Sequence, residues 1–201
     1  MSGEDKLTSD TNATLTHVRI SKAWAMAFIK KLTQLFARPA DNPAVASLYK
    51  AAVAQARLPA FYRAIEVPDT VDGRFDLLVL HVFLIMRRLG DDMATKQGLF
   101  DLMFGDMDQN LREMGVGDMG MGRRMKAMIG AFYGRAQAYE NALTVGGDSL
   151  DQALARNVYG KASPTPQSIN DLADYVRRAV AGMEEQVLED LRAGRVIFPA
   201  P

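Results

Sequence analysis

Cysteine is absent from the 201 residues, and with it go disulfides, thiolate nucleophiles and thiolate-ligated metals. Only two histidines occur, and one, His17, lies in a polar N-terminal stretch, so a two-histidine metal site has little to draw on. Neither sign of charge is in excess: 24 basic residues balance 24 acidic ones, and no overall field recruits nucleic acid or anionic lipid. No apolar run approaches the roughly 20 residues that a membrane-spanning helix requires. The N-terminus, MSGEDKLTSDTNATLTHV, is polar and acidic, which excludes a secretory signal of the basic-then-apolar kind. Strand alternation bounded by hairpin turns is missing too, as is any internal repeat.

What is present is helical periodicity around one unusual stretch, VPDTVDGRFDLLVLHVFLIMRRL, Val67–Leu89. From Leu77 to Met86 every residue except His81 is apolar, and a helix without a wet face belongs at the centre of a domain. Asp72 is the expected N-cap, Asp76 sits near the positive end of the helix dipole, and Arg87 and Arg88 near the negative end. The expected architecture is all-α: a single domain of six to seven helices packed about this hub.

Around the hub, residues 1–20 are expected to be a disordered tail, lacking periodicity and rich in Ser, Thr, Asp and Asn. Residues 21–38 hold an amphipathic helix, with Trp24, Phe28, Leu32 and Leu35 on one arc, and a linker. Its basic residues allow peripheral membrane contact through residues 21–36; docking on its own domain is the plainer reading. The helical domain then fills residues 39–201. Asn42-Pro43 starts a helix with Val45, Leu48, Tyr49, Ala52, Val53 and Ala56 at i, i+3, i+4, i+7, i+8 and i+11. Phe100, Met103, Phe104, Met107, Leu111 and Met114 stripe the helix after the hub. A glycine-rich joint, Gly115–Gly122, leads to another stripe of Met121, Met125, Met128, Ile129, Phe132, Ala136, Tyr139 and Leu143. Gly146-Gly147-Asp148 precedes a short helix to about Tyr159. Ser163-Pro164-Thr165-Pro166 repeats the cap-plus-proline signal and opens a last helix burying Leu172, Val176, Ala179, Val180, Met183, Val187 and Leu191, with a stop at Gly194.

Catalytic patterns are thin. Gly115-x-Gly117-x-x-Gly120 spells a dinucleotide fingerprint, but a helix precedes it where the mechanism needs a strand, so the glycines read as a joint admitting left-handed backbone. Asp101 and Asp108 share a helix side while Asp106 diverges, which does not suit one octahedral ion; Asp108 and Arg112 form an i,i+4 pair. His81 reads as a core histidine, with a general base as the minority alternative. No cofactor or metal is expected.

Seven of the twelve methionines fall between Met103 and Met128. Methionine fills cores, and it also lines surfaces that adapt to varied apolar partners, so both readings stand for this segment. A client groove between the two helices would use Met103, Met107, Met114, Met119, Met121, Met125 and Phe132. Arg123, Lys126 and Arg135 would form a basic rim and Tyr133 an aromatic anchor, while Gly130 and Gly134 strip one face for close helix approach.

Four blocks in order carry a resemblance: LYKAAVAQARLPAFY (Leu48–Tyr62), Val67–Leu89, LFDLMFGDMDQNLREMGVGD (Leu99–Asp118) and AFYGRAQAYENAL (Ala131–Leu143). Together they resemble the ubiquinol–cytochrome c chaperone family over roughly residues 45–180. The resemblance implies a helical, non-catalytic assembly factor for ubiquinol–cytochrome c reductase, with newly made cytochrome b as client. It also implies a smaller assembly partner and ribosome association, and, without a mitochondrial-type presequence, a bacterial member in the cytoplasm or peripheral at the inner membrane. The rival classes are a peripheral membrane scaffold using residues 21–36, and an enzyme using His81 or Asp101, Asp106 and Asp108.

Overall fold

The structure is a computed structural model that describes residues 42–115, 117–144 and 149–201; the side chains of Asp118 and Met119 also fall outside the described set. The expectations for the tail, the amphipathic helix and Gly146–Asp148 lie outside the described residues. Among those described, every regular element is helical.

The chain runs α1 (Pro43–Ala56), α2 (Pro59–Arg63), α3 (Val71–Arg88), α4 (Met93–Glu113), α5 (Asp118–Leu143), α6 (Leu150–Leu154), a π-turn (Ala155–Tyr159), α7 (Pro166–Glu185) and α8 (Leu188–Arg192). Helix α3 is the hub. All ten residues from Leu77 to Met86 are buried, and α1, α5, α7 and the π-turn pack around them. Helix α1 joins this layer to α4 and α8.

Caps follow local chemistry. Asn42 accepts from the Ala44 N–H at 3.0 Å with Pro43 at the first helical position, and Asp92 accepts from the Thr95 N–H at 3.1 Å. For α3 the cap is Thr70, whose Oγ1 accepts from the Gly73 N–H at 3.1 Å, and not Asp72. The helix starts earlier than the acid, leaving Asp72 in the first turn. Thr165 caps α7 through the Ser168 N–H.

The last expected helix is two. Helix α7 ends at Glu185, Gln186 turns extended with ψ 139°, and α8 follows. Arg88 explains the break: its guanidinium donates to the carbonyls of Met183 and Gln186, both at 2.6 Å, at the end of α7. Val187, expected in the core, is accordingly 58% exposed, while Leu191 is fully buried. Gly194 does stop α8, at φ +87°, and a Cβ there would lie 2.8 Å from the Ala44 Cα.

Candidate functional site

Helices α4 and α5 turn back on each other through Gly115, which takes the left-handed conformation (φ +81°), and Gly117, the residue before α5. Gly120 and Gly122 already belong to α5, so the joint is shorter than Gly115–Gly122. Below the turn, the inner faces meet. Phe100 packs edge-on to Phe132 at 5.4 Å between centroids, Phe104 does so at 5.9 Å, and Tyr133 stacks on Phe100 at 5.8 Å.

The named methionines divide by depth. Met103 and Met121 are buried, Met107, Met125 and Met128 half-buried, and Met114 is 57% exposed. The side chain of Met119 falls outside the described residues. Phe132 is core. The space between the helices is therefore filled by their own side chains.

The opposite face of α5 has no neighbour over its glycines among the described residues. Gly130, Gly134 and Gly122 are exposed, and an added Cβ at any of them meets nothing within 4 Å. Arg123, Arg124, Lys126 and Ala127 stand exposed on the same side, where Gly120, Arg123, Arg124 and Ala127 line a shallow open depression. Arg123 and Lys126 are thus exposed on one side of α5; Arg135 is not beside them. Its position on the helix turns it toward α3, where its Nη2 lies 2.7 Å from Asp76 Oδ1, and its Nε donates to the Asn157 carbonyl at 3.3 Å. Burial pushes the Asp76 carboxyl up to about 7, outweighing the pull of Arg135 in the other direction.

That buried pair is a feature that periodicity did not reveal. The signals were an acid at the edge of a run that is otherwise apolar and an arginine one position from a core alanine. Neither names its partner, because they are 59 positions apart in sequence.

The enzyme candidates are scattered. His81 is fully buried, with Nδ1 2.7 Å from the Leu77 carbonyl and Nε2 2.8 Å from Tyr175 Oη. A carbonyl only accepts, so Nδ1 carries the proton and Nε2 accepts from the tyrosine. Desolvation pushes the imidazole down to about 4. Neither nitrogen is open to a substrate. Asp101 accepts from Gln97 at 2.7 Å, Asp106 from Tyr49 Oη at 2.7 Å, and Asp108 from Arg112 at 2.7 Å, each carboxylate with a partner of its own. Among the described residues no three acids or histidines gather as a metal site would need, and no helix is long and apolar enough to cross a membrane.

The comparisons with known proteins place the chain in a family. The sequence model described as "Ubiquinol-cytochrome C chaperone" matches residues 63–198. The chain belongs to the ubiquinol–cytochrome c chaperone family. Ubiquinol–cytochrome c reductase complex assembly factor 1 of Xenopus laevis is 26% identical over 156 residues, covering 75% of this chain and 78% of that protein. The mouse protein of the same name is 24% identical over 148 residues, covering 72% of this chain and 50% of its own length. The chain thus spans about half of the mammalian relatives it matches. The crystal structure of the Cbp3 homolog from Brucella abortus superposes with a TM-score of 0.71 at 34% identity, covering 88% of this chain and 97% of that one. The matched relatives are named for assembly of that complex, and the Brucella protein shares this helical fold.

Proposed function

We propose that this family member is a non-catalytic chaperone in the assembly of ubiquinol–cytochrome c reductase, holding an apolar helix of a membrane-protein client, with cytochrome b the expected one. The relatives' names supply the complex; the outer face of α5, with no neighbour over its glycines among the described residues, is the observation that supports the mode of binding. A client helix has no bilayer around it before assembly, and shielding it calls for apolar contact over a long strip. Small residues let two helices approach closely, as Gly130 and Gly134 do with a spacing of four. Met114 at the turn and half-buried Met107, Met125 and Met128 along the seam supply adaptable apolar surface. Arg123 and Lys126 frame it and steer the encounter. On this reading the surface lies on the outer side of α5 and at its turn, with Met103, Met121 and Phe132 supporting it from beneath. A smaller assembly partner and a ribosome contact remain expectations from the family, as does membrane contact through residues 21–36.

The test exploits the open space. An added Cβ at Gly130 or Gly134 meets nothing within 4 Å, so the variant Gly130→Leu with Gly134→Leu should melt close to or above the wild-type temperature. Its crosslinking to newly translated cytochrome b, from a photoreactive residue at Arg123, should fall at least tenfold. Unchanged crosslinking in a folded variant would move the client to another surface.

A further inference from the structure

Helix α5 carries no acid from Met119 to Tyr139, while it holds Arg123, Arg124, Lys126 and Arg135. Asp76 takes Arg135 toward the interior, and the other three stay outside. Every exposed residue from Gly120 to Gly134 is glycine, alanine, arginine or lysine. Among the described residues no carboxylate pairs with Arg123, Arg124 or Lys126. Several other exposed arginines do meet one: Arg74 meets Asp69 at 2.6 Å, Arg112 meets Asp108 at 2.7 Å and Arg177 meets Asp174 at 2.7 Å. The described acids near the turn sit on α4, where Asp108 is held by Arg112 and Glu113 accepts from Gln109 at 3.0 Å.

Helical geometry fans positions 123, 124 and 126 around positions 120 and 127, so the three cations surround Gly120 and Ala127. There Gly120, Arg123, Arg124 and Ala127 line the shallow depression. With glycine and alanine at its floor, no bulky side chain holds a flat partner away from α5, and the cationic side chains reach past the floor. Met114, the last residue before left-handed Gly115, adds a mostly exposed thioether at the same end. Cations beside an exposed apolar side chain are the pairing by which proteins adsorb to anionic lipid. The strip from Gly120 to Gly134 has no exposed aromatic ring on which a nucleobase could stack.

We propose that the first turns of α5, residues 120–127, form a docking surface for an anionic phospholipid bilayer, with Met114 at the α4–α5 turn reaching toward the acyl boundary. Arg123 and Arg124 take lipid phosphates at the depression, each guanidinium acting as a donor fork, and Lys126 adds a point charge on the other flank. Three exposed cations on a chain of zero net charge give weak, salt-dependent adsorption, which suits a protein that visits a membrane and leaves it. Gly130 and Gly134 lie farther along the same strip, so a helix received there would be received beside lipid. The docking surface needs no client and does not rest on the client reading.

Because the chain lacks cysteine, Ala127→Cys places one environment-sensitive fluorophore on this face of the full-length protein, and Lys50→Cys places one on the exposed side of α1. Vesicles of phosphatidylglycerol and phosphatidylcholine in equal parts should carry the protein on flotation and blue-shift the label at position 127 but not the one at position 50. Vesicles of phosphatidylcholine alone should do neither, and NaCl at about 0.5 M should release the bound chain. Arg123→Gln with Arg124→Gln and Lys126→Gln should lower the partition coefficient on anionic vesicles at least fivefold. Arg124→Gln alone decides the matter if the triple variant fails to fold; it should lower the coefficient at least twofold. Unchanged partition in a folded variant overturns the proposal. So does flotation without a shift at position 127, since lipid would then be held elsewhere, as through residues 21–36. A label that responds to double-stranded RNA and not to anionic vesicles overturns it as well and assigns the face to nucleic acid. The assay holds only protein and lipid, so its failure leaves the crosslinking test of the client reading untouched.

Discussion

The two ends of the bundle solve the same packing problem differently. At the α1–α3–α7 end, rings and hydrogen-bonding side chains close the core: Phe61, His81 and Tyr175 interlock, and Phe198 covers them. At the α4–α5 end, burial grades outward along one pair of helices, from Met103 fully enclosed to Met114 mostly in water. The first end is specified by directed bonds, which tolerate few substitutions. The second relies on flexible thioethers inside and presents open glycine positions among Arg123, Arg124 and Lys126 outside, the arrangement on which the proposed client reading rests.

The largest effects should sharpen that gradient. Met103→Ala empties a buried site on α4 and should cost about 2–5 kcal/mol, as large-to-small core changes do. Met114→Ala, at the exposed end of the same stripe, should stay within about 0.5 kcal/mol. Chemical denaturation of both variants checks the pair, and equal losses would mean the outer methionine is core.

The next effect separates the ends by pH. His81 holds its proton less readily in the fold than in the unfolded chain, about 4 against 6.5. The unfolded state alone gains a proton as pH falls through that window, so stability is lost there, by about 3 kcal/mol in all. Asp76 acts with opposite sign. Its folded value, about 7, lies above the ordinary 3.8, so its contribution is present at low pH and is lost as pH rises toward 7. The two slopes oppose each other in the wild type. In Asp76→Asn the histidine's slope should stand alone, measured as stability against pH between about 4 and 6.5. The imidazole resonances of His81 should show the neutral ring throughout most of that range. Titration near 6.5 would contradict its burial.

The smallest effect is a gain. Gly130→Ala and Gly134→Ala fill open space on a helix and lower the entropy of the unfolded chain, so each should stabilise by up to about 1 kcal/mol. A destabilisation by thermal melt would show that the outer face of α5 is covered by the domain itself.

The sequence by itself determined the helical class, the central place of Leu77–Met86, the cap at Asn42, a cap-plus-proline start within Ser163–Pro166 and the stop at Gly194. Each of these depends on residues within a turn or two of one another, where period, cap chemistry and backbone preference act. The family, too, was legible from four blocks in order. Tertiary structure decided what depends on distant partners. Arg135 left the expected rim because Asp76 faces it from another helix, and α7 broke at Gln186 because Arg88 reaches its last carbonyls. The His81–Tyr175–Gln55 chain joins α3, α7 and α1 only once they are packed. Periodicity says which face of a helix is apolar; it does not say which other face will cover it, and at α4 and α5 the inner stripes covered one another.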